Sequence, residues 1–180
     1  YFVLGSEGQI GKSLVNFLRE RNNIVFEYDI KRNSNEDLRN IRNNKYYREI
    51  FLDNLLKSDF VFFLAWDVGG SKYLEKNECN FEFLNNNIEI MSNVFYFLRK
   101  YDKKFLFTSS QMSDMVSSLY GNTKLIGEKY SEILKGLVVK LWNVYGEYDD
   151  IGEKSHVITD FIKMAKDNKK INCLTNGEES

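Results

Sequence analysis

YFVLGSEGQIG, residues 1–11, decides the fold. Tyr1 to Leu4 have strand character and run straight into glycines at 5, 8 and 11. Ile10 and the apolar series Leu14, Val15, Phe17 and Leu18 then begin a helix. A strand, a glycine-rich turn and a helix N-terminus make a phosphate cradle. The glycines let the backbone turn sharply and come close to a pyrophosphate, and the N–H groups at the positive end of the helix attract the anion. The spacing is G-x-x-G-x-x-G, not the G-x-G-x-x-G of many dehydrogenases. Such glycines also occur in ordinary loops, but after a strand and at the opening of a helix they predict a dinucleotide site.

Working outward, 180 residues make one domain with room for a core. A hydrophobic fraction of 43% and a charged fraction of 28% are those of a soluble globular protein. A net charge of −1 argues against a nucleic-acid surface or a basic membrane face. The longest apolar run, Phe60 to Trp66, is too short to span a bilayer. There is no signal-peptide pattern, and the start without Met reads as a few leading residues missing. Cys79 and Cys173 lie far apart without metal-ligand partners nearby, so no metal is expected and both read as reduced thiols in the cytoplasm.

After a first helix at about 10–21, Ile24 to Ile30 (IVFEYDI) reads as a second strand. It delivers Asp29, eighteen positions after Gly11, where a carboxylate can accept hydrogen bonds from the adenosine ribose. A 2′-phosphate would be repelled there, which favours NAD over NADP. Lys31 and Arg32 follow at once and pull the other way; the plainer alternative for Asp29 is a turn residue. Residues 31–45 read as a polar loop with a short helix around 36–41, then a strand near 46–50 and a helical turn around 53–57. Asp59 to Ala65, DFVFFLA, is apolar from Phe60 on, as in a parallel strand buried on both faces. Trp66 to Ser71 is a loop at its end. Phe81 to Tyr101 is a long amphipathic helix, 104–108 a strand, 120–134 a helix, 137–142 a strand, 156–167 a helix, and 171–174 a short last strand. Alternation of this kind implies a parallel sheet with helices on both faces. Ligands bind beyond the carboxyl ends of such strands, which puts the glycines, Asp29, 65–71, Ser109 to Gln111 and 143–146 on one rim.

Tyr120 and Lys124 are four apart on a helix and share a face. An ammonium beside a phenol stabilises the phenolate and lowers its pKa from about 10. Such a phenolate can take the proton of a sugar hydroxyl while the carbon gives hydride to NAD. Tyr96 and Lys100 match the same Y-x-x-x-K spacing, but no serine strand end precedes them and they read as structural. Tyr120 follows the Thr108-Ser109-Ser110-Gln111 strand end and opens a helix.

GSEGQIG, Asp29, FFLA, TSS, YGNTK and LWNVYG, in this order, resemble the extended short-chain dehydrogenase/reductases, the NAD(P)-dependent epimerases and dehydratases that act on nucleotide-activated sugars. The resemblance runs over nearly the whole chain. It implies an α/β fold, a Rossmann-type doubly wound parallel sheet over 1–150, with NAD held tightly. It also implies that 151–180 begin a small substrate lobe that looks truncated, since LTNGEES resembles the start of a longer family segment. The implied cofactor residues are Gly5, Gly8, Gln9, Ile10, Gly11, Asp29, Ile30, Leu64, Ala65, Tyr120 and Lys124. The catalytic set is Ser109, Tyr120 and Lys124, with Ser110 as the alternative serine. The substrate set is Val68, Gly69, Ser110, Gln111, Asn143 and His156. For His156 a solvated loop residue is the plainer alternative, and for Asn143 a turn residue.

The departures from the family pattern narrow the chemistry. Its dehydratases carry an Asp-Glu pair where Ser110-Gln111 stands. Its fucose-type epimerase-reductases carry a Cys where Gln111 stands. What remains is oxidation at one carbon, C4, by a 4-epimerase or 4-dehydrogenase of surface-polysaccharide synthesis. The alternatives are a non-catalytic dinucleotide sensor on the same fold, a nucleotide-sugar dehydratase, and a reductase of small carbonyls. The expected partner is a nucleotide-activated sugar, with no nucleic acid and no membrane. The family also implies a homodimer through helices 81–101 and 120–134.

Overall fold

The structure, a computed structural model, describes residues 1–146, 148–149, 152 and 154–171. Its elements alternate as the sequence requires: β1 (Phe2–Leu4), α1 (Gln9–Glu20), β2 (Phe26–Tyr28), α2 (Lys45–Lys57), β3 (Val61–Phe63), α3 (Ser71–Asn77), α4 (Phe81–Lys100), β4 (Phe105–Ser110), α5 (Leu119–Ile133), β5 (Leu137–Leu141) and α6 (Val157–Lys166). A 3-10 turn, Gln111–Asp114, leaves the end of β4. The strands form one parallel sheet in the order β2-β1-β3-β4-β5. The chain therefore reverses its winding between β1 and β3, and the crevice at that switch point is where a doubly wound sheet binds ligands.

β1 shows why the strands form. All three of its residues are buried, as a central parallel strand requires. Successive side chains point to opposite faces. Phe2 and Leu4 join a large aromatic cluster with Phe51 and Leu55 of α2, Phe95 and Phe97 of α4, and Phe63, Phe105 and Phe107 of the sheet. Val3 faces Val15 and Leu18 of α1 on the other side. A third, small cluster of Leu74, Phe83 and Tyr120 caps the carboxyl end of β4, and Trp66 packs against both it and the large cluster.

Three local expectations fail. Residues 46–50 and 53–57 are not a strand and a separate turn; both lie in α2. The side chain of Asn44 accepts the N–H of Tyr46 and caps the helix, while Phe51 and Leu55, four apart, are fully buried. Residues 36–41 form turns rather than a helix, because Asp37 accepts the backbone N–H of Arg39 and competes with helical bonding. Helix α3, just beyond the 66–71 loop, was not anticipated. Most of the expected last strand, 171–174, and the LTNGEES segment lie outside the described residues.

Candidate active site

The glycine loop is built by close approach. Gly5 has φ +86°, in the left-handed region, and a Cβ there would lie 2.7 Å from Ala65 N, so the turn sits directly against the end of β3. A Cβ on Gly11 would lie 2.1 Å from Gly5 O, so α1 docks with its first turn on the loop. Gly8 caps α1 without a side-chain hydrogen bond, which leaves first-turn N–H groups for an anion. The carboxylate of Asp29 accepts N–H bonds from Glu7 (2.9 Å) and Lys31 (2.8 Å), so it faces the same loop.

From this loop a cavity of about 390 Å³ runs past the strand ends to α5. Gly5, Gly8, Gln9, Ile10, Gly11, Asp29, Ile30, Leu64, Ala65, Val68, Gly69, Ser109, Ser110, Tyr120, Lys124 and His156 all line it. Gln111 and Asn143 do not: Gln111 opens the 3-10 turn and Asn143 is exposed to solvent beyond β5. Glu36, Asp37, Leu38 and Arg39 also line the Asp29 end, and Trp66, Asp67, Asn86 and Lys154 the middle. These are additions to the residues expected from sequence. A signal for the first four existed, an acidic pair followed by Leu38 in a polar loop after β2, but it carried no periodicity.

At the α5 end, Tyr120 and Lys124 are 7% and 3% exposed. Lys124 donates to the carbonyl of Thr108 at 2.8 Å, and its Nζ lies 4.0 Å from the Trp66 ring centroid and 5.0 Å from that of Phe107. Burial in this apolar surround pushes the amine down to about 7. Burial likewise pushes the Tyr120 phenol up to about 12, against a hydrogen bond with Ser110 that acts to lower it. This reverses the expected direction for the tyrosine. Desolvation is the largest cause, and the Lys124 Nζ sits 5.8 Å from the Tyr120 ring centroid. Ser110 is thus the serine that acts on the Tyr120 phenol, whereas the hydroxyl of Ser109 donates to Glu128 of α5. Both serines line the cavity, so the structure brings both alternatives to the site.

The middle of the wall is a hydrogen-bonded network. Asp67 accepts from Tyr73 (2.7 Å), Lys154 (3.1 Å) and Asn86 (3.2 Å). Burial would raise its pKa, but these bonds outweigh it and hold the carboxyl below its usual range. Asn87, fully buried, fixes the Asp67 backbone at both its N–H and its carbonyl. His156 is tied through Nδ1 to Asp149 at 2.7 Å rather than freely solvated. Among the described residues no cluster of His, Cys, Asp and Glu could hold a metal ion, and no helix is long and apolar enough to cross a membrane.

A family model described as "NAD dependent epimerase/dehydratase family" matches residues 1–180. A comparison with curated proteins finds no match. Among solved structures, the chain is similar to a GDP-L-fucose synthetase from Naegleria fowleri bound to NADP, with 16% identity and a TM-score of 0.72 over 98% of this chain and 65% of that one. A dTDP-4-dehydrorhamnose reductase from Bacillus anthracis str. Ames in complex with NADP matches with 18% identity and a TM-score of 0.70, over 94% and 61%. A UDP-glucose 4-epimerase matches with 18% identity and a TM-score of 0.76, over 95% and 61%. At these identities the likeness is one of fold, and the chain spans less than two thirds of each of these structures.

Proposed function

The chain belongs to the NAD dependent epimerase/dehydratase family, whose cofactor is a nicotinamide dinucleotide, and on that premise we propose that it oxidises C4 of a nucleotide-activated sugar, as a 4-epimerase or 4-dehydrogenase of surface-polysaccharide synthesis. The observation that carries this reading is the placement of Tyr120, Lys124 and Ser110 on one continuous cavity wall with the glycine loop and Asp29. The first-turn N–H groups of α1 would hold the pyrophosphate and Asp29 the adenosine ribose. Bound there, the dinucleotide supplies the hydride acceptor.

Ser110 orients the sugar hydroxyl and Tyr120 Oη takes its proton. A neutral amine beside a phenol and an ammonium beside a phenolate carry the same net charge. With Lys124 titrating near neutrality, the pair can become ammonium and phenolate without adding net charge to a buried site. Val68, Gly69 and His156 line the sugar side. Gln111, off the wall and without acid-base capacity, supports oxidation rather than dehydration. We read 1–150 as the dinucleotide domain and 151–180 as the start of the substrate lobe, with α6 belonging to the latter. We read the protein as cytoplasmic. It pairs as a homodimer through α4 and α5, which expose Ile88, Tyr96, Ile126 and Tyr130.

The test adds a panel of nucleotide sugars to the protein and follows reduction of the dinucleotide by absorbance. Tyr120→Phe should keep dinucleotide binding and lose turnover by roughly 10²–10⁴-fold. Ser110→Ala should lower turnover in the same assay and Ser109→Ala should not. A Tyr120→Phe protein with unchanged function would favour a dinucleotide sensor instead.

A further inference from the structure

The stretch after β2 carries two opposed signals, an acid at 29 that disfavours a 2′-phosphate and cations at 31 and 32 that could welcome one. The structure separates them through Glu36. Its Oε2 accepts the backbone N–H of Asp29 at 2.9 Å and Nε of Arg32 at 3.1 Å, while its Oε1 accepts from a terminal nitrogen of Arg32. That same terminal nitrogen also donates to the carbonyl of Glu27 at 3.1 Å. The guanidinium is therefore held in a two-pronged grip on Glu36 and on the backbone of β2.

Glu36 is only 3% exposed, whereas the Arg32 side chain is 43% exposed. This asymmetry decides the energetics. Drawing Arg32 away to meet a phosphate would leave a buried carboxylate without its cation, which is far costlier than breaking a solvated surface pair. Arg32 does not line the cavity, and the guanidinium that does, Arg39, is bound to both oxygens of Asp37 and to Asn86. A 2′-phosphate would thus meet the carboxylate of Asp29, with Lys31 on the same wall and both arginines already engaged.

We infer that Glu36 is the specificity-determining residue for the dinucleotide: by holding Arg32 and the backbone of Asp29, it makes the site select NAD over NADP. The inference rests on the dinucleotide reading of this cavity and adds to it the device that chooses between the two forms. Glu36 acts through Arg32, so it is a positioning residue rather than a cofactor contact.

The test is calorimetric binding of NAD⁺ and NADP⁺, with no turnover required. The wild-type protein should bind NAD⁺ more tightly. Glu36→Gln keeps the shape and an acceptor for the Asp29 N–H but weakens the grip on Arg32. It should tighten NADP⁺ relative to NAD⁺ by about tenfold or more, the range of a charge-assisted bond to phosphate. Arg32→Ala alone should leave the ratio within about twofold, because the native guanidinium is engaged elsewhere. Adding Arg32→Ala to Glu36→Gln should abolish the gain. A ratio unmoved by Glu36→Gln overturns the inference. So does a wild-type preference for NADP⁺, or loss of NADP⁺ binding in Arg32→Ala alone, which remains decisive if Glu36→Gln does not fold. Absence of binding for both dinucleotides would instead remove the cofactor reading and the inference with it.

Discussion

At the scale of the residue, Lys124 has the largest consequence. Its amine titrates near 7 in the folded protein and at the ordinary lysine value of 10.5 when unfolded. Between those values the unfolded chain binds the extra proton, so stability rises with pH from about 7 to about 10.5. Below the folded value the full cost of burying the ammonium applies, on the order of 5 kcal/mol. Lys124→Met should therefore stabilise the fold most at about pH 6 and progressively less toward pH 10, as urea melts across that range would show. An unchanged pH slope would refute the assignment. The variant should lose turnover at the same time, so that stability and function move in opposite directions. The serine pair teaches a related lesson. The parity of a strand was legible in FLFTSS: Phe105, Phe107 and Ser109 share a face. Phe107 packs on Gly127 of α5 and Ser109 bonds Glu128 beside it, while Ser110, of the other parity, lines the cavity with Tyr120. The pattern was there to read, whereas the upward shift of the Tyr120 phenol was not. Periodicity places a tyrosine and a lysine on one face but does not report how dry that face is.

At the scale of the element, α5 lies so close to β4 that a Cβ on Gly127 would come within 2.4 Å of the Phe107 ring. Gly127→Ala gains about 1 kcal/mol of helix propensity, but overpacking costs roughly 1–3 kcal/mol. The prediction is a net loss of stability with α5 pushed outward, seen as a lower urea midpoint and weaker turnover. A midpoint at or above the native one would show that Phe107 can yield. Strands and long helices were legible because buried parallel strands are continuously apolar and α4 repeats at three- and four-residue steps. Residues 46–50 were not. Tyr46, Tyr47 and Ile50 have strand propensity, but Tyr47, Phe51 and Leu55 at four-residue steps pack on the aromatic cluster, and that packing prevails. Glu36 to Arg39 escaped notice for another reason: their order comes from side-chain bonds to the backbone, which leave no period in the sequence.

At the scale of the whole molecule, the sheet and its rim followed from alternation, and the glycines, Asp29, 64–69, 109–110, Tyr120 and Lys124 do line one cavity. Distant segments such as Gly5 and His156 meet on its wall, so a ligand bound there ties the two ends of the domain together. The exposed apolar side chains of α4 and α5 bear on assembly. Ile126, 45% exposed, is a candidate centre of the proposed dimer face. Ile126→Glu should convert a dimer to monomer in sedimentation equilibrium while leaving the fold intact; a native protein that sediments as monomer would dismiss the pairing.

Trp66 gives the molecule an optical property. Its indole spans the large aromatic cluster and the small one around Tyr120, and it faces the amine of Lys124 at 4.0 Å. The only other tryptophan, Trp142, is 76% exposed and can be replaced by Phe. Emission from the remaining indole should then change with pH around 7 as the amine beside it gains its charge, and should lose that titration in Lys124→Met. The protein carries its own fluorescent gauge of the protonation state of the site, readable without substrate, label or turnover.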